Sequence, residues 1–118
     1  MIKIIKPYFH HEDERGLITG LIQEGNWKEI NIITSKKGTR RGDHWHKETV
    51  ELFIILEGKI KLYLQQEEDK DRVMTLVLKK NDVFTIDPGT WHTFEVLEDS
   101  VWINALDRVV ADDMYKVE

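Results

Sequence analysis

The sequence predicts an all-β domain, a sandwich or barrel of about eight or nine short strands, and three observations predict it. Apolar and polar residues alternate with a period of two over 59–64, which sets Ile60, Leu62 and Leu64 on one face. Turn-forming residues recur at short intervals: Glu24-Gly25-Asn26, Gly58, Asn81-Asp82 and Asp87-Pro88-Gly89. Helix-period patterning is poor throughout.

The elements follow in order. Residues 17–22 and 29–34 read as strands on either side of Glu24-Gly25-Asn26. Residues 50–56 are an apolar run broken only by Glu51, and with 59–64 they read as a hairpin turning at Glu57-Gly58. The polar, acidic stretch 65–72 reads as the tip of a longer hairpin whose returning strand is 73–78. Asn81-Asp82 turns the chain into a strand over 83–86, Asp87-Pro88-Gly89 turns it again, and 92–97 and 100–106 are strand-like. Residues 107–118 read as a final edge strand, a short helix or an arm, and the sequence does not choose among them.

Composition bounds the function. With 118 residues, 41% hydrophobic and 33% charged, the chain has room for one domain over 1–118 with a real core, and wholesale disorder is excluded. No apolar run approaches the roughly 20 residues that cross a bilayer, so no membrane partner is expected. The opening Met1-Ile2-Lys3-Ile4-Ile5-Lys6-Pro7 is too short and too interrupted for a secretory signal. The absence of cysteine excludes disulfide scaffolds, thiolate metal sites and cysteine nucleophiles, and a cytoplasmic location is expected. Net charge is −5, and the richest basic stretch, Lys36-Lys37-Gly38-Thr39-Arg40-Arg41, is too short for a duplex footprint. No nucleic-acid partner is expected, although that cluster suits one small anion.

The chemistry is concentrated in histidine and carboxylate. His44 and His46 sit two apart, so on an extended strand both leave the same face. Glu51 follows, and His92 lies downstream on a face shared with Phe94 and Val96, which points it toward the core. Three imidazoles and a carboxylate suit a divalent transition metal such as zinc, iron, manganese or nickel. His44 and Glu51 differ by an odd number, so a turn or bulge between Lys47 and Val50 must reset the register. Plainer readings stand beside this one. Glu51 in an apolar strand needs a partner, because burying it unpaired costs several kcal/mol, and a lysine or arginine serves as well as a metal. His10 and His11 lie among acidic residues without a partner at ligand spacing and read as solvated. Arg40 and Arg41 also suit an ordinary charged loop, and the four tryptophans suit core or interface.

The spacing Gly38…His44-Trp45-His46…Glu51…Gly58 resembles the first conserved motif of the cupin superfamily at every fixed position. The second cupin motif is matched in part, by Asn81-Asp82, Pro88-Gly89 and His92. Asn81 stands where that motif has glycine, the proline is displaced by one residue, and Val96 replaces the usual asparagine. The resemblance implies a single small jelly-roll barrel, with His44, His46, Glu51 and His92 as metal ligands. A narrower resemblance covers most of the chain. Asp13-Glu14-Arg15-Gly16, Trp27-Lys28-Glu29-Ile30-Asn31 and Gly38-Thr39-Arg40-Arg41-Gly42-Asp43-His44 are similar to sugar-nucleotide cupins. These are the dTDP-4-dehydrorhamnose 3,5-epimerases, the dTDP-4-keto-6-deoxyglucose 3,4-ketoisomerases and the capsule-biosynthesis cupin domains. The form Arg-Gly-x-His-x-His-Lys over 41–47 favours the last two branches, since the 3,5-epimerases usually carry glutamine at the position of His46. Their acid tyrosine is also missing from the late strand, where Trp102-Ile103-Asn104 occurs.

The resemblance implies an enzyme that isomerises or epimerises a nucleotide-linked 4-keto-6-deoxy sugar in surface-polysaccharide biosynthesis. His44 or His46 would be the base, with the other as its relay, if no metal is bound. Arg15 and Arg41 would hold the diphosphate, and Tyr63 would offer stacking surface. A histidine whose lone pair sits on a metal does not accept a proton through that nitrogen, so a bound metal implies Lewis-acid chemistry instead. A non-catalytic small-molecule binding or sensor module on the same fold is the alternative, and a metal-dependent oxygenase is a third. A homodimer is expected, because edge strands near residues 1–5 or the 109–117 tail offer a partner's sheet an extension.

Overall fold

The apolar stretches of the sequence become long strands that bend. The structure, a computed structural model, describes residues 1–66, 68–109 and 115–116. Its strands are β1 (Ile2–Ile5), β2 (Phe9–Asp13), β3 (Gly16–Gly20), β4 (Glu29–Ser35), β5 (Arg40–Trp45), β6 (Glu51–Gln66), β7 (Asp69–Lys79), β8 (Val83–Ile86), β9 (Thr90–Leu106) and β10 (Tyr115–Lys116). No helix among the described residues is long and apolar enough to cross a membrane.

β6 and β9 organise the rest. They run antiparallel along almost their whole length, from Glu51↔Leu106 to Gln66↔Thr90. The first part of β6 also pairs with β8, which in turn pairs with β1, and its second part pairs with β7. β9 pairs with β5 through its early residues and with β4 through its late ones. Among the described residues, eight strands thus share one sheet, and only the β2–β3 hairpin stands outside it. The alternation over 59–64 does what it predicts: Ile60, Leu62 and Leu64 are fully buried. They meet Phe53, Phe84, Phe94, Val96 and Trp102 in the main core cluster.

Two expectations are corrected. Glu57-Gly58 does not turn a hairpin, and 50–56, apart from Val50, and 59–64 are parts of one strand, β6. Gly58 instead sits at φ +93°, where the register against β9 shifts. This is a bulge that bends the strand without reversing it. A Cβ there would lie 2.5 Å from the Asp99 carbonyl oxygen and closer still to Ser100 Oγ, so the bend requires glycine. Ser100, opposite, accepts a hydrogen bond from the Lys59 amide at 3.1 Å and donates one to the Glu98 carbonyl at 2.7 Å. Likewise 92–97 and 100–106 are one strand, β9. A glycine with polar neighbours marks a bulge and a turn alike, and only the long β6–β9 pairing decides between them.

Of the 107–118 tail, 115–116 pair as β10 with Trp45 and His44 of β5, and residues 107–109 lie outside any strand. Residues 110–114 and 117–118 fall outside the described set.

Candidate functional site

Four side chains, three on strands and one just past a strand end, converge at one point of the fold. His44 lies near the end of β5, His46 just beyond it, Glu51 at the start of β6 and His92 near the start of β9. A ligand atom from each can be chosen so that all four lie within 4.8 Å of one another. Local backbone brings them there. Gly42 at φ +107° and Asp43 at φ +57° make a bulge in β5, after which His44 faces His92 across the ladder. A Cβ on Gly42 would come within 2.8 Å of the His92 carbonyl oxygen, so the two strands close on each other only with glycine there. A bend at Lys47-Glu48 then separates β5 from β6, in the interval where the register had to reset.

Glu51 is the centre of the cluster. It is 4% exposed, and His46 and His92 beside it are 3% and 1% exposed. His46 Nε2 lies 3.0 Å from Glu51 Oε1, within hydrogen-bonding reach. His92 Nε2 lies 2.9 Å from Glu51 Oε2, yet neither atom has a partner in hydrogen-bonding geometry. His92 Nδ1 sits 3.2 Å from the Thr90 carbonyl, to which an Nδ1–H donates. That bond places a proton on Nδ1 and leaves Nε2 facing the carboxylate. A ring nitrogen and a carboxylate oxygen buried 2.9 Å apart attract each other when a proton or a cation lies between them.

Burial opposes ionisation of Glu51, but its contacts with His46 and His92 outweigh that, and its carboxyl is held well below the usual carboxylate range. Burial is also the main reason His44 is pushed down to about 4, with His92 adding to the effect, Glu51 opposing it and His46 adding less. His44 is therefore a neutral imidazole at pH 7. Three imidazoles and a carboxylate, with two buried unpartnered atoms facing each other and a backbone acceptor fixing one ring, fit a divalent transition metal.

A cavity of about 200 Å³ opens beside this cluster. His44, Glu51, His92 and Arg41 form its polar part, while Ile33, Phe53, Phe94 and Trp102 form an apolar wall with Asn104 among them. Arg41 Nε donates to Ser35 Oγ at 2.6 Å and Nη2 to the Thr34 carbonyl at 3.1 Å. These neutral acceptors fix the guanidinium without cancelling its charge. Arg41 also lines a neighbouring open recess with Thr34, Ser35, Lys36, Thr39 and Arg40.

The structure brings His44, His46, Glu51, His92 and Arg41 together and leaves two expected residues elsewhere. Arg15 lies on the β2–β3 hairpin, where its guanidinium pairs with Asp13 at 2.7 Å. It lines a separate surface recess with His11 and Leu17. Tyr63 alternates with the buried Leu62 and Leu64 and so faces away from the core. Its ring carries Arg40 at 5.6 Å and Lys61 at 5.1 Å, and its hydroxyl donates to Glu95 at 3.3 Å. Alternation along β6 would have placed Tyr63 outside. Asn104 and the Thr90 carbonyl carry no motif signal.

A family model described as the polysaccharide biosynthesis C-terminal domain matches residues 11–114. The chain belongs to this family. No curated protein matches this polysaccharide biosynthesis domain in sequence. Among solved structures, QdtA, a sugar 3,4-ketoisomerase from Thermoanaerobacterium thermosaccharolyticum in complex with TDP, is similar at TM-score 0.81 and 22% identity. The similarity covers 98% of this chain and 88% of that one. A dTDP-4-dehydrorhamnose 3,5-epimerase from Sulfolobus tokodaii is similar at TM-score 0.82 and 22% identity, over 99% and 77% of the two chains. CapF, solved with the inhibitor 3-isopropenyl-tropolone, is similar at TM-score 0.71 and 26% identity, over 93% of this chain and 34% of that one. The fold of the polysaccharide biosynthesis domain is thus the cupin jelly roll.

The buried cluster makes stability depend on acid. His44 titrates near 6.5 when unfolded and near 4 when folded, so its contribution is complete above pH 6.5 and is lost as pH falls toward 4. Glu51, whose carboxyl is held well below the usual carboxylate range, adds a second loss at more acid pH. The urea midpoint of the metal-free protein is expected to fall steadily from pH 7 to pH 4, and His44→Gln to flatten the part above pH 4.5. A wild-type midpoint that stays constant over that range would contradict this electrostatic account.

Proposed function

We propose that this domain isomerises or epimerises a nucleotide-linked 4-keto-6-deoxy sugar by moving a proton on a carbon next to the keto group. The observation that carries the reading is His44, a neutral imidazole on the wall of a cavity with Arg41 at its edge. At about 200 Å³ the cavity falls below the roughly 300–1,000 Å³ of pockets for drug-sized ligands, so it has room for one sugar ring and not for a whole sugar nucleotide. The diphosphate then lies outside, at Arg41 and in the adjoining recess with Lys36 and Arg40. His44 accepts the proton, being the histidine of the His44/His46 pair that lines the cavity, and His46 lies behind it against Glu51. The similarity to QdtA and to the 3,5-epimerase supports the choice of substrate class.

The same reading gives His44, His46, Glu51 and His92 a divalent transition metal to hold. A metal bound there supplies Lewis-acid polarisation of a keto oxygen. His44 then serves as ligand or as proton acceptor, not both at once through one nitrogen. A non-catalytic binding module is the second reading, and one observation favours it. Among the described residues lining the cavity, the only titratable side chains besides members of the cluster belong to Arg41.

Incubation with dTDP-4-keto-6-deoxyglucose in deuterated water, with chelator-treated and zinc-loaded protein, separates these readings. Deuterium is expected on a carbon next to the keto group with chelated protein, and its incorporation is expected to vanish in His44→Ala. Binding with no exchange in either form would overturn the enzymatic reading in favour of the binding module.

We further propose a homodimer. The β2–β3 hairpin presents Tyr8, Phe9, Leu17 and Ile18 to solvent, and the edge strand β4 presents Ile30 and Ile32. An isolated two-stranded hairpin is marginal alone, and a second copy supplies the missing cover. Arg15 reaches a diphosphate in this reading only at the site of that second copy. Light scattering is expected to give twice the chain mass, and a monomer mass would remove both the dimer and the role of Arg15.

A further inference from the structure

The cavity wall opposes two kinds of chemistry. One part is charged or titratable, with His44, Glu51, His92 and Arg41, and the other is apolar, with Ile33, Phe53, Phe94 and Trp102. Asn104 belongs to neither. It sits on β9 in register with Phe53 of β6 and Asn31 of β4, two residues after Trp102. It is 7% exposed, so its amide is withdrawn from bulk water. A buried primary amide offers two donors and two acceptor lone pairs, and burying them unbonded is costly. Its hydrogen bond is a weak one, Nδ2 to the Leu52 carbonyl at 3.4 Å, near the limit of a real interaction. Leucine or valine at this place would complete the apolar wall without that cost.

We infer that Asn104 is a substrate-contacting residue that reads a hydroxyl or keto oxygen on the sugar ring. The inference rests on the sugar-nucleotide reading above and assigns that site a specificity determinant outside the histidine and arginine motifs. An amide both donates and accepts, so it satisfies either a ring hydroxyl or a carbonyl. It carries no charge, so it contributes to recognition without disturbing the ionisation of Glu51. In that reading the diphosphate and the nucleobase lie beyond the cavity, so Asn104 acts on the sugar alone.

Calorimetric titration with two probes, dTDP and dTDP-glucose, tests this. Wild type is expected to bind dTDP-glucose more tightly than dTDP. Asn104→Leu is expected to weaken dTDP-glucose binding about tenfold, the size of one lost hydrogen bond to a neutral group, and to leave dTDP binding unchanged. If Asn104→Leu does not fold, Asn104→Ser, which shortens the side chain but keeps a polar atom, is expected to show the same selective loss. Unchanged dTDP-glucose binding in the folded variant would overturn the inference while leaving the functional reading intact. Equal losses for both probes would overturn it too, since they would mark a structural role. Failure of wild type to bind either probe would overturn the functional reading and this inference with it.

Discussion

The Glu51 carboxylate, ionised and almost wholly buried, is the constraint to which the rest of the domain answers. Removing a carboxylate from water costs several kcal/mol unless it finds compensation, and here it comes from imidazoles on two other segments. His46 follows the end of β5 and His92 starts β9, so one carboxylate ties three strands together at a single point. The carboxylate meets His46 through Oε1, while Oε2 and His92 Nε2 lie 2.9 Å apart outside hydrogen-bonding geometry. The cluster is therefore poised for a further positive centre, a proton or a metal.

The long strands make such a cluster affordable in so short a chain. β6 and β9 each serve two sets of neighbours along their length, so each contributes both to the aromatic core and to the site. Phe53, Phe94 and Trp102 belong to the core cluster and also line the cavity. Their mutual packing, with ring centroids 5.0 Å apart for Phe53 and Phe94 and 5.4 Å for Phe94 and Trp102, fixes the apolar wall. The bulge at Gly42 and Asp43 adjusts the opposite side, where His44 meets His92. Rigid packing on one side and a backbone adjustment on the other define the cavity of about 200 Å³.

Much of this was legible in the sequence, for identifiable reasons. His44, His46, Glu51 and His92 were readable because fixed spacing is a property of strands and turns that survives in one dimension. His92 was placed inward by its alternation with Phe94 and Val96, and all three are buried. Arg41 was readable beside the histidine motif, and the all-β class followed from alternation and turns. Other features depend on the third dimension. Gly58 marks a bulge and not a hairpin because β6 and β9 pair through it, a contact between residues about forty positions apart. Arg15 carries the right chemistry, but its hairpin lies outside the main sheet, and no local pattern says which molecule it faces. Alternation with Leu62 and Leu64 sets Tyr63 on the outer face, away from the cavity. Asn104 stands out only once the apolar character of its surroundings is known.

The most direct test of the account is the metal content of tag-free protein by mass spectrometry, before and after dialysis against zinc, with Glu51→Gln beside wild type. The account predicts about one equivalent of transition metal per chain in wild type and its loss in the variant, because the carboxylate joins the histidines around one centre. Wild-type protein that stays empty after exposure to zinc would contradict it. The positive centre between Glu51 and His92 would then be a proton.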